Sequence, residues 1–129
     1  MIKFIVYGTA KSKGSYKGFT RDGKMIPDNP KSKDWQHLVA VSAQQYRPKS
    51  GPFDEAVQII ATFYFARPKS VSEAKRPYMT VKPDIDKILR AILDGMSGII
   101  YTDDARIIRV VVEKHYCTIP RVEIEVIPA

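Results

Sequence analysis

Residues 56–66 read AVQIIATFYFA, eleven positions with only Gln58 and Thr62 polar, and β-branched or aromatic side chains over most of the rest. Such a run is apolar enough for a strand in the middle of a sheet, and the elements on either side of it fix the architecture. Upstream, residues 2–8 (IKFIVYG) read as a first strand and are followed by a long basic loop. Residues 31–46 then place Trp35, Leu38, Val39, Ser42 and Tyr46 at helical spacing, with Asn29 or Ser32 as the cap, and Pro48 to Pro52 turns the chain. Downstream, a second basic loop leads into a helix beginning at Asp84. Ile99 to Tyr101 read as a short strand. Residues 106–116 set Ile108, Val110 and Val112 against Arg109, Glu113 and His115, leaving Ile107 and Val111 on the mixed side. After a turn at Thr118 to Pro120, residues 121–127 (RVEIEVI) alternate cleanly, so the last two strands are expected to pair as an antiparallel hairpin. The order β-α-β-α-β-β predicts an α/β (α+β) fold, a small mixed sheet with two main helices packed on it. Its 129 residues correspond to a single domain, 1–129.

The unusual chemistry lies between Lys82 and Arg106, KPDIDKILRAILDGMSGIIYTDDAR. Pro83 disfavours helical backbone at Lys82, which puts Asp84 near the N-cap of the following helix. Ile85, Ile88, Leu89, Ile92, Leu93 and Met96 form its apolar stripe, and Gly95 and Gly98 are expected to punctuate its end. Two residues apart within a helix point to nearly opposite sides, so Asp84 and Asp86 can share a metal only if Asp84 sits at or before the first turn. Asp86 is expected as a half-buried carboxylate on the flank of the stripe, with Arg90 one turn below it. Asp103 and Asp104 follow the short strand, where extended backbone would turn one toward the site and leave the other in support. Carboxylates gathered inside a basic chain suggest a divalent metal held against a phosphate backbone, because the acids would otherwise repel the polyanion that the rest attracts. Each acid also has an ordinary reading: Asp84 as a cap, Asp86 with Arg90 as an i, i+4 pair, Asp103 and Asp104 as a turn.

Taken together these residues resemble the RusA-type endodeoxyribonucleases, Holliday junction resolvases of bacteria and their phages. That family's signature runs from a basic stretch into Asp-Leu-Asp-Asn, an amphipathic helix and a later Asp-Asp-Ala. The close match covers about 25 of the 129 residues, and chain length, element order and basic character fit over the rest. The resemblance implies that Asp84, Asp86 and Asp104 are the catalytic, metal-binding acids, that Asp103 supports them, and that Arg90 stands where the family often has a catalytic lysine. It implies Mg²⁺, with Mn²⁺ as an alternative, a four-way DNA junction as substrate and a homodimer as the active unit. Two departures stand out: Lys87 replaces an asparagine, and Arg90 keeps the lysine's charge in a planar fork that is a poor proton donor.

Charge supports a nucleic-acid partner. The net charge is +7 and unevenly placed. Thr9 to Lys33 carries seven bases (Lys11, Lys13, Lys17, Arg21, Lys24, Lys31, Lys33) against Asp22 and Asp28, a balance of +5. Ala66 to Lys82 carries five (Arg67, Lys69, Lys75, Arg76, Lys82) against Glu73, a balance of +4, which leaves −2 for the remainder. With Lys87, these loop bases are the candidate DNA contacts, and Tyr16, Phe19 and Tyr78 among them could stack on unpaired bases. With 44% hydrophobic and 27% charged residues the chain is ordinary globular. No apolar run suits a membrane span or a secretion signal, and a single cysteine, Cys117, fits a reducing compartment. With the resemblance, the expected setting is the bacterial cytoplasm or nucleoid, for a host-encoded or phage-encoded protein, with no small-molecule cofactor. The chemistry also admits a Mg²⁺-dependent structure-selective nuclease of another specificity, or a DNA-binding protein without catalysis.

Overall fold

The computed structural model describes residues 1–12, 16–19, 21, 25–27 and 32–129, with residues 16–19, 25–27 and 32 described in backbone only. Its elements are β1 (Ile2–Tyr7), β2 (Tyr16–Phe19), β3 (Met25–Pro27), α1 (Ser32–Gln44), β4 (Val57–Phe65), α2 (Ile85–Met96), β5 (Ile107–Tyr116) and β6 (Arg121–Pro128). β2 and β3 pair as a small antiparallel ribbon inside the first basic loop. The four long strands make one mixed sheet in the order β1-β6-β4-β5, antiparallel except for β4 beside β5.

β4 is interior, as its composition predicts, and it buries every second residue from Val57 to Phe65. Those side chains join Phe4, Val6, Val122, Ile124 and Val126 to form the floor of the core. α1 contributes Trp35, Val39 and Ala43, and α2 contributes Ile88, Ala91, Ile92 and Met96. Each fully buried Val, Ile, Phe or Met side chain of this set stabilises the fold by about 1.5–3 kcal/mol. The stripe on α1 differs from its prediction, since Leu38 and Tyr46 are exposed and Ala43 takes the third core position. Tyr46 instead stacks on Phe4, with ring centroids 5.2 Å apart. Of the two predicted caps, Asn29 lies outside the described residues and Ser32 is the first residue of the helix itself.

The expected terminal hairpin does not form. β6 inserts between β1 and β4, so β5 and β6 lie on opposite sides of β4. Alternate strands are roughly 10 Å apart, a gap that a four-residue connection can cross, and Cys117 to Pro120 passes over the end of β4 with the Cys117 amide donating to the Phe65 carbonyl at 2.8 Å. Burial explains the choice. Val122, Ile124 and Val126 are fully buried, as suits an interior strand, whereas Ile108 on β5 is 64% exposed. The register between β4 and β5 shifts near that residue, and such a bulge puts Ile107 and Val110 against the core while Ile108 points out. Ile99 to Tyr101 also form no strand. They are a turn closed by isolated bridges from Tyr101 to Phe53 and Ser97.

Gly98, with φ +83°, lies in this turn, but Gly95 does not end the helix as expected. It is buried within α2 at the crossing with α1, where an added Cβ would stand 2.8 Å from Val39 Cγ1 and 3.1 Å from the Gln36 carbonyl oxygen. Gly95→Ala gains about 1 kcal/mol of helix propensity and loses about 1–3 kcal/mol to overpacking. We expect a net loss of up to about 2 kcal/mol, seen as a Tm lowered by up to several degrees; a higher Tm would contradict the close crossing.

Candidate functional site

The acids singled out in the sequence fall into two groups, one at each end of α2. At its start, Asp84 occupies the N-cap position with φ −68° and ψ 141°, yet its side chain makes no capping hydrogen bond. Its carboxylate is half exposed and is approached by Lys87 Nζ at 3.8 Å, one helical turn on. Asp86 is exposed, and not half-buried at the core rim as expected. At about 100° per residue it lies opposite Ile88 and Gly95, on the side of the helix away from the sheet. Arg90 shares that side and is also exposed. No ion pair forms between Asp86 and Arg90, and Asp86 has no hydrogen-bond or ion-pair partner among the described residues. Two exposed carboxylates, two residues apart at the start of one helix, offer the oxygen ligands that a hard divalent cation takes. To that extent this end of the helix fits Mg²⁺ or Mn²⁺ better than zinc.

The segment carrying Asp84 is held by a residue that sequence reasoning passed over. Lys114 Nζ on β5 donates to the Val81 carbonyl at 2.7 Å and to the Pro83 carbonyl at 2.9 Å, across a cis Lys82–Pro83 peptide. Its half-burial on a strand of alternating polarity carries no signal in the sequence, because the partners are main-chain atoms about 30 residues away.

Asp103 and Asp104 stand at the other end. Asp103 caps a 3-10 turn, Asp104–Arg106, by accepting the Ala105 amide at 2.6 Å. The carboxylates of Asp104 and Asp94 lie near the phenol of Tyr101, whose pKa is pushed far up, first by burial and then by these two charges. Tyr101 donates to the Leu93 carbonyl at 2.7 Å, which ties this turn to the end of α2. Asp54 adds a further acid that the sequence reading did not select. It pairs with Arg106 at 2.8 Å and accepts from Thr102 at 3.2 Å.

The separation follows from the elements between the groups. Asp84 and Asp86 begin α2 and Tyr101 packs on its last turn, about 18 Å away at 1.5 Å per residue. Along the sheet, Lys114 fixes the Asp84 segment beside Phe63, whereas Asp104 precedes Ile107, which pairs with Val57. Seven residues of strand span roughly 23 Å. Ligands of one cation lie within a few ångströms of each other, because each is about 2.0–2.6 Å from it. One chain therefore does not bring Asp104 to Asp84 and Asp86, and the described residues contain no cluster of three metal-ligating side chains.

The candidate DNA contacts are spread. Lys69, Lys75 and Lys82 are exposed on the second basic loop, Arg21 is exposed on the first, and Lys11 and Lys87 are half-buried. Arg67 and Arg76 have internal partners as well: the Arg67 guanidinium lies 4.3 Å from the Tyr116 ring centroid, and Arg76 donates to the Tyr116 hydroxyl at 3.1 Å. Lys13 and Lys24 lie outside the described residues, and Lys17 is described in backbone only.

Against known proteins, residues 10–127 match the profile of the family described as "Endodeoxyribonuclease RusA". The chain is also similar to a Bacillus subtilis protein named "Uncharacterized protein YqaN", 36% identical over 138 aligned positions that cover 95% of this chain and 93% of the relative.

Lys114→Met removes a charged donor from two main-chain carbonyls near the surface. After allowance for solvent, this loosens the segment by about 1.4 kcal/mol, a tenfold rise in local opening. We expect limited proteolysis within residues 66–84 to quicken by about that factor while Tm falls little; unchanged proteolysis would show that the clamp does not hold the segment.

Proposed function

Because the chain belongs to the RusA endodeoxyribonuclease family, we propose that it is a metal-dependent endodeoxyribonuclease that resolves four-way DNA junctions by paired, symmetric phosphodiester hydrolysis. The observation that carries the finer part of this reading is the splitting of its acids between the two ends of α2. We propose that the active unit is a homodimer in which Asp84 and Asp86 of one protomer meet Asp104 of the other. A two-fold dimer repeats such a shared site twice on one face, and a four-way junction offers two equivalent strands to cut. This arrangement gives a monomer little activity and a dimer two matched cuts.

Mg²⁺, or Mn²⁺ in its place, would supply Lewis acidity at the scissile phosphate and lower the pKa of the attacking water. Asp84 and Asp86 would hold it, with Asp104 completing the set and Asp103 fixing the turn from which Asp104 projects. Lys87 offsets the repulsion between Asp84 and a nearby phosphate. Arg90, one turn from Asp86 on the same side of α2, is placed to stabilise charge that builds on the phosphate oxygens, while a guanidinium is a poor proton donor to the leaving group. The lysines of the two basic loops track the backbone of the arms without reading sequence. No helix among the described residues is long and apolar enough to cross a membrane, which agrees with a protein acting on DNA in the bacterial cytoplasm.

The test is a labelled four-way junction and its linear arms, incubated with and without Mg²⁺. Cutting of the junction alone, and only with metal, is expected. Equal cutting of linear arms would leave a nuclease of broader specificity, and no cutting in either Mg²⁺ or Mn²⁺ would overturn the proposal. Asp84→Asn, Asp86→Asn and Asp104→Asn should each abolish cutting while junction binding persists or tightens, and Asp103→Asn should be milder. Arg90→Ala should slow single-turnover cutting more than it weakens binding; an unchanged rate would remove its catalytic role. Replacing Lys69, Lys75 and Lys82 with Gln should flatten the slope of log affinity against log salt by up to about 2.7. An unchanged slope would show that this loop does not touch phosphate.

A further inference from the structure

Beside Asp84 a cavity of about 530 Å³ opens between the loop after β1, the end of β4 and the segment leading into α2. That volume is typical of a small-molecule site, roughly 300–1,000 Å³. Its floor is apolar, made of the buried side chains of Ala10, Phe65 and Met79. Tyr116 stands in its wall, and its ring is fixed in place by Arg76 at the hydroxyl and Arg67 over the ring. Lys11, Lys82 and Lys87 also line the cavity, against Asp84 as the one lining carboxylate among the described residues.

An apolar floor with a fixed aromatic beside it suits a flat heterocycle, and ammonium groups at the same opening suit an anion attached to it. A nucleotide has both parts, joined at a distance that such a cavity spans. Intact duplex cannot deliver one, because its bases are stacked and paired inside the helix. A base can enter only after leaving the stack, which is easiest where stacking or pairing is already broken.

We propose that this cavity receives one nucleobase turned out of the DNA stack, so that the phosphate attached to it lies between the lysines and the Asp84–Asp86 pair. This rests on the nuclease reading above and adds to it a physical basis for selecting branched DNA. At a branch point the strands exchange partners and a base can leave its stack at small cost. In continuous duplex the same displacement is expensive, so the phosphate seldom reaches the carboxylates even though the basic loops bind the backbone.

Junctions carrying 2-aminopurine at single positions around the branch point test this directly. Its emission is quenched by stacking and rises when the base is extruded. Titration with the full chain in the absence of divalent metal reads binding separately from cutting. Emission should rise sharply at one position and stay flat in a linear duplex. Ala66 lines the mouth of the cavity and is exposed, so Ala66→Trp blocks entry without disturbing the core. This variant should lose the emission rise and cut the junction about ten-fold more slowly in Mg²⁺, a loss of the size expected for one stacked base. An abasic nucleotide at the responsive position should make the two proteins cut alike. Flat emission at every position with the unsubstituted chain overturns the assignment, whether or not the junction is cut. A rise at one position without cutting would support the cavity's role and overturn the nuclease reading instead.

Discussion

The rigid seating of α2 on the sheet is the constraint from which the rest of the site follows. The helix is pressed against α1 at Gly95, where even a methyl group would meet Val39 and the Gln36 carbonyl. Its lower side is sealed by Ile88, Ala91, Ile92 and Met96. A helix held so closely cannot tilt to bring its ends toward a common point, so the carboxylates at its start and those beside its last turn stay a helix length apart. Both ends are tied to neighbouring segments, by Lys114 at one and by Tyr101 at the other. The carboxylates on this frame are therefore positioned by packing and not by attraction to one another.

That division shapes the electrostatics. At the start of α2, Asp84 and Asp86 sit among Lys82, Lys87 and Arg90, and Asp84 lines a cavity with an apolar floor. At the other end, Asp54, Asp94, Asp103 and Asp104 lie around Tyr101 and Arg106. The first region is the one that, under the proposed function, draws a polyanion. Under the proposed function, the acidic end becomes useful only when it is brought to the basic end of another copy. The same encounter would lower the mutual repulsion of its carboxylates, so assembly, metal binding and DNA binding would reinforce one another.

Much of this fold could be read from residue patterns. The apolar run at 56–66 identified an interior strand, helical periodicity located both helices, and Pro83 with Asp84 marked the start of α2 to the residue. The failures share a cause. The hairpin of the last two strands was inferred from adjacency, but the deep burial of Val122, Ile124 and Val126 depends on β1, more than 100 residues earlier in the sequence. Gly95 looked like a helix terminator because its role depends on Val39 in another helix. The stripe drawn through Ile85, Leu89 and Leu93 puts Asp86 at the core rim; the fully buried face, on Ile88, Ala91, Ile92, Gly95 and Met96, is equally wide but rotated toward Ala91, which turns Asp86 outward. The acid-rich segment itself was legible from composition. That its acids divide between two ends was not, because it depends on the three-dimensional path from Gly98 through Tyr101 to β5.

Mixing two inactive proteins tests the shared site most directly. Asp86→Asn and Asp104→Asn are refolded together into mixed dimers and given a supercoiled cruciform plasmid in Mg²⁺. If each site draws acids from both protomers, the mixed dimer contains one site with both substitutions and one with neither. Nicked circles should then appear, although each variant alone leaves the plasmid intact. If each site is built within one chain, both sites of the mixed dimer are damaged, and an uncut plasmid would contradict the shared arrangement.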